Sequence, residues 1–377
     1  MDRRDFIRLV GGGGVAAAAT TATVSCAPAG ADPRAAWNNP GAGETDIRRK
    51  ALSFAILAPN PHNMQPWMAD LRTPGEVTLY VDRTRLLPVT DPFNRQIVIG
   101  FGGVLAYFQM ALRQFGQAVE QTVFPDGEAR PLLDDRPIAR IRLLGDLQAP
   151  PDPLFTQLLS RRTDRGPYAD KAVDAAAFAN LLASPNVQGT LDPGRVERLK
   201  ALVYEGARIE SHTPAAHQES VERTFIGARD VAAHPWGISL DQPVMSAMNA
   251  AGILTKTRMA TPGTTAFNES LKFLKTAADT ARGFVWITTP GDSRLDQIAA
   301  GESYARLSLL AASHGLVMHP WSQGLQEYAT QKPVYDALHK ALAPDGGRIQ
   351  MLARIGYPKA RLRPAPRRGL AAQILRT

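Results

Sequence analysis

Residues 58–67 read APNPHNMQPW. Three prolines, two asparagines, a histidine and a glutamine precede a tryptophan. Neither a packed helix nor a central strand favours that composition, because proline withholds a backbone donor and fixes its own φ. The stretch predicts a stiff loop. Asn60, His62, Asn63 and Gln65 supply amide and imidazole groups that could pair with the polar edge of a flat heteroaromatic ring. Buried unpaired polar groups cost about 1–3 kcal/mol each, so such a ring needs complementary partners. The alternative is a surface turn in which Trp67 simply packs down. Composition leaves both open.

Around this loop the chain alternates elements of two periods. Thr45–Ala58 reads as a helix that runs into the loop, with Thr45 as a possible N-cap. EVTLYVD (76–82) alternates apolar residues and reads as a strand. The long stretch 91–116 offers Asp91 as N-cap, Pro92 at the first helical position and Gly116 as terminator, with apolar residues at helical spacing. GFGG (100–103) lies inside that pattern and reads as a site of close helix packing rather than a nucleotide loop. IARIRLL (138–144) is a further strand. A second half starts near Asp152, with DPLFTQLLSRR read as a helix. Helices fill most of 174–233, GFVWITT (283–289) is a strand, and 292–315 is a second long core helix. LVMHP and RIQMLARIGYP are short strands. Each half therefore shows a short helix, a later strand and a long apolar helix ending in glycine, as in a diverged duplication.

RRTDRGPY (161–168) is the second unusual loop. Arg161, Arg162 and Arg165 with the Thr163 hydroxyl could hold a phosphate, since guanidinium forks match its oxygens. A charged helix C-terminus, where arginine is favoured by the helix dipole, is the alternative.

The chain has 377 residues, 44% hydrophobic and 21% charged, enough for a large core. Its net charge is +8. Neither aromatic interleaving nor a recognisable nucleic-acid motif accompanies that charge, so no nucleic-acid partner is expected. HExxH, GxSxG and GxxxxGK[ST] are all missing from the sequence, and the histidines show no metal-ligand spacing.

Residues 1–31 are set aside as a targeting segment. Arg3 and Arg4, then Phe6, then a Gly/Ala-rich apolar run, look like a twin-arginine (Tat) export signal. Cys26 is the only cysteine, which excludes an internal disulfide. TVSC partly resembles a lipobox, so Cys26 is a candidate lipid attachment point. Export to the periplasm or cell envelope is the expectation. Residues 32–43 read as a linker.

Taken together, the motifs resemble the FMN-dependent nitroreductase family. APNPHNMQPW resembles its APSxxNxQPW segment, and RRTDRGPY resembles its RRSxRxF phosphate-binding segment. AAGESYARLSLLAASHGL (299–316) looks like its AGQAxxxLxLAAxxLGL helix. MLARIGYP followed by PRR looks like its C-terminal strand and basic tail. The Acg-like branch, with two fused repeats, is the nearest pattern. Asn60 stands where the family has Ser, and Thr163 replaces the Ser of the clamp.

The resemblance implies an α+β, nitroreductase-like fold. Two fused repeats, 32–150 and 151–377, would form a pseudo-dimer, each with a central sheet around a long core helix, in a monomeric chain. The first repeat has the amide loop but no properly placed arginine clamp, and the second has the clamp but no amide loop. One FMN per chain is therefore implied, across the pseudo-dimer interface. Arg161, Thr163 and Arg165 would take the FMN phosphate, with Arg367 or Arg368 adding a contact. Asn60, His62, Asn63 and Gln65 would face the isoalloxazine and ribityl part, and Gly301 and Glu302 would line the ring side. Residues 234–268 would act as a lid.

The activity implied is two-electron reduction of nitroaromatic, quinone or similar acceptors by a small-molecule electron donor. A flavin-sequestering protein with little turnover is the alternative, because NAD(P)H is not expected outside the cytoplasm. A scaffold without flavin is a third reading.

Overall fold

A computed structural model of the chain describes residues 32–375. The export-signal and Cys26 readings fall on residues 1–31 and lie outside the described residues.

Two four-stranded antiparallel sheets organise the molecule. The first contains β1 (Trp67–Asp70), β2 (Glu76–Val81), β3 (Gln117–Val123) and β4 (Ala139–Asp146), in the order β1-β2-β4-β3. A parallel pair, β6 (Thr224–Ile226) and β7 (Ile238–Leu240), stands apart. The second sheet contains β5 (Val187–Thr190), β8 (Gly283–Thr289), β9 (Val317–Pro320) and β10 (Arg348–Gly356), in the order β5-β8-β10-β9. The two orders are the same when strands are counted along each half. In each half one long helix follows the second strand of the sheet: Arg95–Gln114 in the first and Arg294–Ser313 in the second.

The sheets differ in how they are covered. β8 carries GFVWITT, apolar almost throughout, because both its faces are buried. Phe284 and Trp286 pack with Leu352 on one face. Val285 and Ile287 pack with Ile355 on the other, as the two-residue period of a strand requires. β3 and the far end of β4 remain largely accessible, and Leu144 is exposed.

The two long helices cross at glycines. A Cβ on Gly102 would lie 2.1 Å from the Ile298 carbonyl oxygen, and one on Gly301 would lie 1.9 Å from that of Ile99. Both are closer than real atoms approach, so only glycine permits this backbone contact. The first residues of the helices repeat the reciprocity. Arg95 donates to the Leu325 and Gln350 carbonyls of the second half. Arg294 donates to the Ala129 and Pro131 carbonyls of the first. Each glycine follows its arginine by the same number of residues, so residue i meets j and j meets i, as at a two-fold contact. Helix Arg95–Gln114 is long and apolar enough to cross a membrane, but it is packed inside this core.

Several expectations change. The first long helix starts at Arg95, with Asn94 in left-handed conformation before it, and Pro92 lies in the preceding turn. Asp91 still serves that helix end, accepting from the amides of Gln96 and Ile97. The segment from Asp152 forms a single 3₁₀ turn, Pro153–Gln157, rather than a helix. The supposed linker is built into the fold. Trp37 is buried and donates to the Ala365 carbonyl, and Arg34 pairs with Asp241 at 2.8 Å. The chain after β10 returns across the first half, where Ile374 bridges to Ala69 of β1. Contacts this distant in sequence leave no local periodicity to read.

Candidate functional site

The 58–67 loop is strained and largely closed on itself. His62, Asn63 and Gln65 all have positive φ, a region costly for residues with side chains and stable only where the surroundings impose it. Asn60 imposes part of it, donating to Ala58 O and accepting from the Gln65 amide at 2.8 Å. Asn63 donates to the carbonyls of Gly237 and Pro366, while its own carbonyl accepts from the Gly237 amide. The Gln65 amide group donates to the Pro235 carbonyl at 3.0 Å and accepts from the Arg368 backbone at 2.8 Å.

Arg367 completes this closed network. Its guanidinium donates to the carbonyls of Ile56, Leu57 and Ala58 and to the Asn63 side chain. Those carbonyls follow helix Ile47–Ala55, where the helix leaves acceptors without intrahelical donors and a cation is favoured. Arg368 donates to Gln65 O at 2.8 Å. The expected ring-facing roles of Asn63 and Gln65, and the phosphate role of Arg367 and Arg368, thus fall on side chains whose hydrogen bonds hold the tail, the loop and residues 235–237 together. Burial is the chief influence lowering the Arg367 pKa, to about 9, followed by the nearby Arg161.

The 161–165 segment has the opposite character. Thr163 bridges to Met318 of β9, and the Asp164 amide donates to Met318 O. Arg354, buried in β10, donates to the carbonyls of Asp164 and Gly166 and fixes the turn from below. Arg161 is buried and reaches the Thr163 hydroxyl at 3.3 Å, yet its Nε has no partner. The Nε of Arg162 and the hydroxyl of Tyr107 are likewise buried and unpartnered. Tyr107 comes from the first long helix and lies beside Arg161 and Ser308 without completing a hydrogen bond to either. Arg162 stacks over Trp37, and burial followed by Arg161 and Arg361 lowers its pKa to about 10.

Arg165 combines exposure with enclosure. Its side chain reaches solvent, yet burial still lowers its pKa. Arg165 lies near enough to influence both His62 and His319. His62 titrates at about 4, lowered first by burial and then by Arg165 and Arg223. Its Nε2 contacts the Ser220 hydroxyl at 3.2 Å, and that hydroxyl donates to Glu210 at 2.8 Å. The ring is therefore neutral near pH 7, with Nε2–H directed at Ser220.

Gly301 and Glu302 do not stand with these groups. Gly301 is the helix-crossing contact described above, and Glu302 lies toward Gln121 of β3. Tyr304, about one turn along the same helix, is buried and feels the charges of both Arg161 and Arg165. Tyr107, Tyr304 and Arg223 were missed by sequence reasoning. The first two lie on buried helical faces, where tyrosine reads as core. A separate pocket of about 370 Å³ beside Lys50, Phe54 and Phe115 shares none of these residues. Among the described residues, no group of three His, Cys, Asp or Glu side chains could hold a metal ion.

The fold and site define an α+β chain with a desolvated cluster of arginines between two topologically matching halves. No protein-family model matches it. A Mycobacterium tuberculosis protein named "Putative NAD(P)H nitroreductase" is 24% identical over 342 residues, covering 88% of this chain and 92% of that protein. The M. tuberculosis protein of the same description called acg is 33% identical over 132 residues, covering 33% of this chain and 37% of its own. Among solved structures, a protein described as a putative nitroreductase from Anabaena variabilis aligns with 80% of this chain and 82% of its own, at 11% identity and TM-score 0.40. The FMN-dependent nitroreductase NfnB of Mycobacterium smegmatis, solved with NADPH, aligns with 58% of this chain at 14% identity and TM-score 0.34. The structural likenesses are partial, and the fold description rests on this chain's own elements.

Proposed function

We propose that the chain is an FMN-dependent oxidoreductase of nitroreductase type, with one flavin held between the two halves. The observation that carries this reading is the set of unpartnered buried donors around Arg161. The Nε atoms of Arg161 and Arg162 and the Tyr107 hydroxyl lie near the Thr163 hydroxyl, and among the described residues no carboxylate pairs with either arginine. Buried donors and desolvated cations of this kind are costly alone and fit a phosphate. The similarity along most of the chain to a mycobacterial protein named as an NAD(P)H nitroreductase supports the same reading.

Bound FMN would supply two-electron redox chemistry. Arg161 and Thr163 would bind its phosphate and Tyr107 would donate to it. Arg165 and neutral His62 would stand beside the loop that closes the first half. Asn63, Gln65 and Arg367 would contribute by fixing that loop, so that little ordering cost remains at binding. Acceptors would be small nitroaromatics, quinones or similar compounds.

We further infer Tat-dependent export, with the mature chain in the periplasm or envelope and Cys26 as a possible anchor. Two fused repeats acting as a pseudo-dimer are supported by the matching strand orders and the reciprocal helix crossing. A second reading, flavin storage with little turnover, is favoured by one observation. Residues 235–237 of the proposed lid are tied to the 63–65 loop by hydrogen bonds on both sides of Asn63.

The test is purification from the native host, identification of the chromophore and of the N-terminal residue, and anaerobic reduction by NADPH and by other donors. A colourless protein that does not take up FMN overturns the cofactor. Bound flavin that is reduced by no donor and passes electrons to no acceptor leaves the storage reading.

A further inference from the structure

Glu210 is a buried carboxyl group that binding of a flavin leaves unused. It lies on helix Pro193–His212, and no lysine or arginine pairs with it among the described residues. Its two oxygens meet the Ser220 hydroxyl at 2.8 Å and the Gln326 side-chain amide at 2.7 Å. Glu219, also buried and close by, is held differently. It accepts from the amides of Val89 and Thr90 and from the Thr90 hydroxyl, at 3.1, 2.8 and 2.6 Å. Three such donors favour the charged form of Glu219. Burial, and then the Glu219 charge, raise the Glu210 pKa against the hydrogen bonds of Ser220 and Gln326.

Ser220, on helix Pro214–Glu222, joins Glu210 to His62, whose Nε2 lies 3.2 Å from its hydroxyl. A hydroxyl between two such groups can point either way. In one arrangement His62 Nε2–H donates to Ser220, and Ser220 donates to an ionised Glu210. In the other, protonated Glu210 donates to Ser220, Ser220 donates to Nε2, and the ring carries its proton on Nδ1. Nδ1 forms no hydrogen bond among the described residues and is not among the buried atoms left unpartnered. The side chain is half-buried, on a backbone held at positive φ, a strain that collects at functional sites. On the far side the route is closed. Gln326 accepts from Tyr328, which burial and then Glu210 keep neutral, and a side-chain amide is a poor carrier of protons. Glu210 therefore opens outward through Ser220 and His62.

We propose that His62, Ser220 and Glu210 form a proton relay, in which Glu210 stores one proton and His62 Nδ1–H delivers it to the acceptor during reduction. A quinone that accepts a hydride from the reduced flavin needs one more proton to become the hydroquinone. As the acceptor O–H bond forms, the Nδ1–H bond breaks, Ser220 gives its proton to Nε2, and Glu210 gives its own to Ser220. A carboxylate held by Ser220 and Gln326 remains. A solvent proton entering at Nδ1 refills the store by the reverse shift. Burial, then Arg165 and Arg223, keep the ring from holding the charge itself, so the proton passes on. Delivery to the acceptor rests on the flavin reading, while exchange between Nδ1 and Glu210 does not.

The experiment compares wild type, Glu210→Gln, Ser220→Ala and Ser220→Thr. In the full chain as purified, nitrogen NMR of labelled histidine reads the His62 tautomer across pH. Infrared spectroscopy reads the carboxylic-acid carbonyl band that Glu210→Gln removes. The expected result is that, as pH rises, this band disappears and His62 moves from Nδ1–H to Nε2–H in step. Ser220→Ala uncouples the two changes, and Ser220→Thr keeps them coupled. In stopped flow, transfer from reduced flavin to benzoquinone slows at least about tenfold in Glu210→Gln and loses its solvent deuterium isotope effect. Flavin content and reduction by dithionite do not change. A His62 tautomer that does not follow the Glu210 band, or follows it equally in Ser220→Ala, overturns the relay. An unchanged rate to benzoquinone in Glu210→Gln overturns delivery to the acceptor. If the protein holds no flavin the oxidoreductase reading fails, and the two spectra still decide the relay.

Discussion

The two loops that the sequence singles out use polar residues in opposite ways. In 58–67, the amides of Asn63 and Gln65 bond to Gly237, Pro235, Pro366 and the Arg368 backbone, and Arg367 caps the helix end behind them. In 161–165 and its surroundings, Arg161, Arg162, Tyr107 and Arg223 keep buried donors without partners. Saturated groups hold a fold, and groups left open are available to a ligand. Residue type does not separate the two cases; how the amide side chains are paired does, although Trp67 Nε1 and Arg368 Nε are unpartnered on the closed side as well.

Removing Arg367 should give the largest effect. Arg367→Ala leaves the Asn63 side-chain oxygen and the Ile56 and Leu57 carbonyls without that donor, and should cost about 3–5 kcal/mol in denaturant unfolding. A loss below about 1 kcal/mol would mean that the tail is not fastened this way. Asn63→Leu should follow at about 2–3 kcal/mol, through lost bonds to Gly237 and Pro366. Its flavin loss is then secondary to the disturbed loop. Flavin loss with unchanged unfolding would return Asn63 to direct cofactor contact.

Arg161→Ala should reverse the pattern. Unfolding of the flavin-free chain should change by less than about 1 kcal/mol, while FMN affinity falls roughly tenfold to a hundredfold. An equilibrium titration monitored by flavin fluorescence reads this, and unchanged affinity would remove Arg161 from the cofactor site.

His62 supplies a pH test. The folded ring titrates at about 4, below its ordinary value of 6.5. Between these values the unfolded chain binds more protons, so stability rises with pH and is lost on acidification from 6.5 towards 4. The slope from this residue is at most about 1.4 kcal/mol per pH unit. His62→Asn should flatten the wild-type profile in that window; an identical profile would show that His62 is not buried neutral. Tyr107→Phe should have the smallest effect on folding, within about 1 kcal/mol, since the hydroxyl has no partner to lose. FMN affinity should still drop severalfold.

The elements with strong periodicity were legible in advance: β2, β8, β10 and both long helices lie where their apolar spacing puts them. β1, β5, β6 and β7 were not, since three or four residues carry little pattern, and β3 was not, because its mostly half-exposed QAVEQTV lacks an apolar face. The site was legible as two unusual loops. The roles within them were not. Nothing local tells Gln65, bonded to residues far along the chain, from a glutamine that faces a ligand. Gly301 reads equally well as a ligand-side glycine or a helix contact until the Ile99 carbonyl is found against it.

The sequence by itself determined the two long apolar helices, the stiff polar loop and the arginine-rich segment, because each is written in residue type and short-range spacing, while the α+β class came with the resemblance those motifs carry. Tertiary structure decided which polar groups are spent and which are free. It brought Pro366–Arg368 onto the 56–65 segment, Tyr107 near Arg161, and Ser220 onto His62. It also fixed how the two halves cross, at Gly102 and Gly301, where only the lack of a side chain allows the backbones to meet.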